Sequence, residues 1–168
     1  MRISMHTMTV DAFVPMLEGL RKILDKAGQH ASAKKFDFAV LAQARLSPDM
    51  FGLLKQVQLS CDFAKNSTAR LAGQEPPRFE DTEQTLDELK TRFARTIDYL
   101  RGVRADTLEG AEDRDIKIPL PNNQTLEMKG LAFLRGWALP NFYFHLVTAY
   151  DILRHNGVEI GKRDYLNA

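Results

Sequence analysis

The chain has 168 residues, 23 basic against 22 acidic side chains, a formal net charge of +1 and 44% hydrophobic residues. That length suits one domain around a single core, and the interspersed charges lack the one-sided basic surface that nucleic-acid binding needs. No run approaches the roughly 20 apolar residues of a membrane span, and a lone cysteine, Cys61, provides neither a disulfide framework nor a Cys-type zinc site.

The opening MRISMHTMTVDAF has no unbroken apolar run after its arginine. No signal peptide is expected, and the expected compartment is the cytoplasm. Phe13, Leu17, Leu20, Leu24 and Ala27 then recur at steps of four and three, the spacing of one helical face. Residues 29–46 are too many for a tight turn and predict short helical turns near 31–35 and 38–44. Ser47-Pro48-Asp49 reads as N-cap, first-turn proline and first-turn acid. It should open a second helix carrying Met50, Leu54, Val57, Cys61, Ala64 and Leu71, closed by Gly73. The tandem prolines in Gln74-Glu75-Pro76-Pro77-Arg78 exclude helix. Asp81-Thr82-Glu83 should open a third helix bearing Leu86, Leu89, Phe93, Ile97 and Leu100.

Between Arg114 and Lys129 the period changes to two. Ile116, Ile118 and Leu120 alternate with polar residues, Pro121-Asn122-Asn123-Gln124 turns the chain, and Leu126 and Met128 alternate again. That pattern predicts a β-hairpin, too small to stand without the helices.

The final helix, over residues 140–157, is marked at both ends. Pro140 suits a first helical position, Arg154 and His155 sit where the dipole favours cations, and Asn156-Gly157 is a stop. Its apolar residues cover most of the circumference, so it should be buried on most sides. Asn141 and His145 lie four apart on one face within that apolar surround. The fold read from these elements is all-α: an up-down four-helix bundle in a single domain over residues 1–168, with a short β-hairpin between helices 3 and 4. The tail Lys162-Arg163-Asp164-Tyr165 should pack back over the bundle.

Four helices, a hairpin before the last, and a final helix ending Leu-Arg-x-x-Gly resemble the DinB-like (YfiT-related) superfamily over essentially the whole chain. The strings LSPDMFGLLKQVQ, LPNFYFH, AYDILRHNG and GKRDYL are similar to an uncharacterised branch known only as a domain of unknown function. Better-known members hold a divalent metal with three histidines, one from the second helix and two from a His-x-x-x-His pair on the last. The resemblance implies that the paired positions fall here on Asn141 and His145. It implies too that the second-helix position falls on Gln58, with Gln56 as a substitute. One imidazole and two neutral amides are a poor donor set for zinc or nickel. No cofactor is expected, and His145 would be a ligand only if a metal binds.

Three readings of function follow. The first is a protein that has lost the family's metal chemistry, its degenerate site of Gln58, Asn141 and His145 either binding a small polar molecule or satisfying its own hydrogen bonds as a structural core. The second is a metal- or thiol-dependent transferase or isomerase using His145. The third is a dimeric, stress-related interaction module. A homodimer is expected because the final helix carries more apolar surface than one bundle seam covers. The ordinary roles are clear for the other polar residues: His155 as a helix-end cation, Cys61 as packing, Asp62 as half of a salt bridge.

Overall fold

The computed structural model describes residues 3–120 and 124–168. Its first helix, α1 (Met5–Lys34), is capped by Ser4, whose hydroxyl accepts from the Thr7 N–H at 3.0 Å. The predicted row Phe13, Leu17, Leu20, Leu24 and Ala27 is buried along it. The helix runs through the first of the two expected turns and stops at Lys35, which takes the left-handed conformation at φ 60°. The second expected turn is α2 (Phe38–Gln43), capped by Asp37.

Helix α3 (Leu53–Leu71) starts later than Ser47-Pro48-Asp49 suggested. The Ser47 hydroxyl spends its hydrogen bond on Asp49 (2.6 Å), and the Met50 N–H closes a turn onto the Ser47 carbonyl. Gly52 then opens the helix beside the end of α2, where an added Cβ would sit 3.2 Å from the Gln43 carbonyl oxygen. Gly73, at φ +71°, follows the helix end as expected. Helix α4 (Leu86–Gly102) also starts later than Asp81-Thr82-Glu83. Its true start is a capping box between Thr85 and Glu88.

Helix α4 packs on α1 in antiparallel fashion, with Arg101 on Glu18 and Lys90 on Asp25. The connection 72–85 returns along α3, placing Pro77 on Lys65, Asp81 on Lys55 and Glu83 on Gln58. Helix α4 therefore begins near the start of α3 and runs parallel to it. The bundle is a four-helix bundle as expected, but its helices run up, down, down, up. A 14-residue connection with two prolines is long and extended enough to make that return; a short loop would have forced simple alternation.

The hairpin pairs β1 (Asp115–Pro119) with β2 (Thr125–Lys129) in antiparallel register, Ile116 opposite Met128 and Ile118 opposite Leu126. Ile116 and Ile118 are buried, so the two-residue period does place one face on the bundle. The predicted turn at Pro121, Asn122 and Asn123 lies outside the described residues. A short helix, α5 (Gly130–Phe133), follows at once. Gly130 is needed there because a Cβ would fall 1.8 Å from the Ala111 carbonyl oxygen.

From α5 the helix passes without a break through a π-helical turn, Leu134–Ala138, into α6 (Leu139–His155). The widened turn has a cause in the sequence. Pro140 has no N–H to donate and its ring would crowd the carbonyl four residues back, which the π turn moves aside. Helix α6 packs parallel to α1, with the Phe13 and Phe142 rings 4.6 Å apart, and antiparallel to α3. A last short helix, α7 (Lys162–Tyr165), is tied to α1 by Lys26–Asp164 at 2.5 Å and Lys22–Asn167 at 2.7 Å. No helix is long and apolar enough to cross a membrane among the described residues.

Candidate functional site

Helix α3 packs most closely on α6 to one side and α4 to the other, and its polar residues divide between them. Toward α6, Gln56 Oε1 lies 2.7 Å from His145 Nδ1. The Gln56 Nε2 donates to the Phe51 carbonyl at 3.1 Å, which leaves its oxygen to face the imidazole. His145 must then carry its proton on Nδ1, and the Nε2 lone pair makes no hydrogen bond among the described residues. Only 8% of His145 is exposed. Phe63 stacks on its ring at 5.4 Å and Phe144 meets it edge-on at 5.2 Å. Burial, and then the nearby Lys55 ammonium, hold its pKa below the usual histidine value, so the ring is neutral near pH 7.

Gln58 faces the other way. Its Nε2 donates to Glu83 at 2.9 Å, within a cluster centred on Arg92. Arg92, on α4, is 2% exposed. Its guanidinium bonds Asp62 from α3, and Asp81 and Glu83 from the returning connection, each at 2.9 Å. Lys65 reaches Asp62 at 3.3 Å and Lys55 reaches Asp81 at 2.5 Å. Burial opposes ionisation of Asp81, but the Lys55 and Arg92 contacts outweigh it and hold its pKa below the usual carboxylate range. Nothing in the sequence period marks Arg92, because the guanidinium replaces an apolar side chain at a core-facing position. The acid-rich approach to α4 was the available signal.

Asn141 sits one turn before His145 on α6, but its amide turns back to donate to the Trp137 carbonyl at 2.8 Å. Of the three expected site residues, His145 is therefore held by Gln56, while Gln58 and Asn141 are engaged elsewhere. Cys61 is fully buried, and burial pushes its thiol up to about 12, which removes it as a nucleophile or soft ligand. Tyr143 and Tyr150 are half-buried; Tyr150 meets Tyr165 of the tail edge-on at 6.0 Å.

The donor set does not fit a transition-metal centre. One imidazole nitrogen is taken by an amide oxygen, the flanking amide is bonded to backbone, and the nearest carboxylates are neutralised by Arg92 and lysines. Among the described residues no group of three or more His, Cys, Asp or Glu side chains is placed to hold a metal ion. Alongside the His145 pair, where α3 runs on past the π turn, a half-open cleft of about 250 Å³ lies between Phe63, Asn66, Arg70, Trp137 and Ile118.

Comparison with known proteins agrees with this architecture. The chain is similar to a solved structure described as a DinB family member protein from Shewanella denitrificans. The two are 45% identical with a TM-score of 0.90, and the match covers 97% of this chain and 92% of that one. No curated protein matches. Residues 5–166 match the family described as Domain of unknown function (DUF1993). The chain belongs to that family, and its bundle is DinB-like.

Proposed function

We propose that this chain binds a small polar molecule at the α3–α6 seam, where a neutral histidine–glutamine pair stands in the place a DinB-like metal would take. It acts without a resident metal, in the cytoplasm. The observation that carries this reading is the fixed tautomer of His145. Gln56, itself held by the Phe51 carbonyl, claims the Nδ1 proton and leaves Nε2 as an unpaired acceptor in an aromatic surround. Such a group recognises a ligand hydroxyl or amide N–H, and its low basicity keeps it an acceptor at neutral pH.

The same lone pair supports the second reading, a transferase or isomerase in which His145 accepts a proton from substrate or from an added thiol. Metal content separates the two. Protein purified without a histidine tag and dialysed with zinc or nickel should hold well under one equivalent. Tight one-to-one binding that disappears in His145→Ala would overturn the binding reading and favour the enzyme. A panel of small neutral polar fragments should shift the His145 imidazole nitrogen resonances; if none does, the seam is not a ligand site.

A further inference from the structure

The cleft beside the π turn has a composition that the bundle itself does not explain. Phe63 and Trp137 give it aromatic walls, Ile118 of the hairpin closes one side, and Arg70, Asn66 and Ser67 are among its polar groups. Its other charged wall residue, Asp62, is already neutralised by Arg92 and Lys65. Arg70 is different. It is partly buried, yet among the described residues its guanidinium makes neither a salt bridge nor a hydrogen bond. Burial lowers its pKa, and the exposed Glu75 only partly opposes that through space. A place in the last turn of α3 favours a cation, but such a cation is as well served in open water.

We propose that this cleft binds a small planar organic carboxylate, its acid group paired with Arg70 and its flat body against Trp137 and Phe63. The proposal rests on the small-molecule reading above and gives it a ligand class. A guanidinium matches a carboxylate with two parallel N–H donors, which a neutral amide cannot reproduce. Aromatic walls suit a planar body. A volume near 250 Å³ lies below the usual range for drug-sized ligands, so the ligand is compact. Phe63 stacks on His145, so a ligand against Phe63 lies one ring away from the Nε2 acceptor.

Trp137 is the only tryptophan of the chain, so its fluorescence reads this cleft directly. Titration with benzoate should give a saturable change in emission, and benzamide should bind about tenfold more weakly. Arg70→Gln should bring benzoate down to the level of benzamide. Arg70→Lys, which keeps the charge without the fork, should fall between, and it serves alone if the glutamine variant melts early. Equal binding of benzoate and benzamide by the unaltered protein would overturn the carboxylate assignment and leave small-molecule binding intact. So would silence of Trp137 toward both probes while neutral fragments still shift the His145 resonances. Silence of Trp137 and His145 alike would overturn both readings.

Discussion

His145 shows how one hydrogen bond sets the chemistry of a residue. The Phe51 carbonyl orients the Gln56 amide, the amide oxygen accepts a hydrogen bond from Nδ1–H, and the imidazole presents a lone pair at Nε2. Protonating this ring costs more in the folded chain than in the unfolded one, because burial and Lys55 both oppose the charge. The folded pKa lies below the unfolded value of about 6.5, so between the two the unfolded chain binds more protons. His145 should therefore favour folding fully above about pH 6.5 and progressively less as pH falls toward the folded pKa. Urea midpoints from pH 5 to 7.5 should rise with pH by a component that His145→Gln removes. An unchanged slope in the variant would show that the ring is not held neutral. Arg92 carries more of the fold. Removing its guanidinium leaves Glu83 with the neutral Gln58 amide and Asp62 and Asp81 with one lysine each, and Arg92→Ala should cost about 3 kcal/mol in denaturant unfolding. A cost below 1 kcal/mol would mean that water already screens the cluster.

At the scale of elements, the apolar periods were legible and the chain directions were not. The rows on α1 and α4 and the alternation of Ile116 and Ile118 appear as written, because a face that must be buried leaves a period in the sequence. Starts were less legible where a side chain had a better partner. Asp81 and Glu83 look like first-turn acids but bond Arg92 instead, and Ser47 closes a local turn. The same limit applies to the site. Gln56 and Gln58 are both buried on α3, and only the placement of α6 against one side and α4 against the other decides which of them meets His145. The π turn had a visible cause in Pro140, yet its consequence depends on the helix continuing back to α5. It brings Trp137 into the cleft wall and turns Asn141 toward backbone.

For the whole molecule, the remaining question is how much of α6 is covered. Its apolar circumference is divided three ways. Phe142, Leu146, Ile152 and Leu153 are buried in the bundle, Tyr143 and Tyr150 are half-buried, and Phe144 and Val147 remain 55% and 37% exposed. The tail supplies part of the cover, since Tyr165 meets Tyr150 while α7 is anchored to α1. Phe51, 58% exposed, flanks the same polar pair through its backbone, since its carbonyl holds the Gln56 that pairs with His145, whose ring Phe144 meets edge-on. Two large aromatics and a valine around one buried polar pair form a surface that a second copy could cover by two-fold pairing. A dimer across this face would also shut the His145 pair away from bulk water, giving the binding reading a closed site. Light scattering at low micromolar concentration should return about twice the 19.1 kDa chain mass. Phe144→Glu should return the protein to monomer while leaving its helical spectrum intact, since that ring contributes an exposed edge and little core. A single-chain mass for the unaltered protein would rule out the dimer and leave Phe144 and Val147 facing water, with the tail covering α6 at Tyr150.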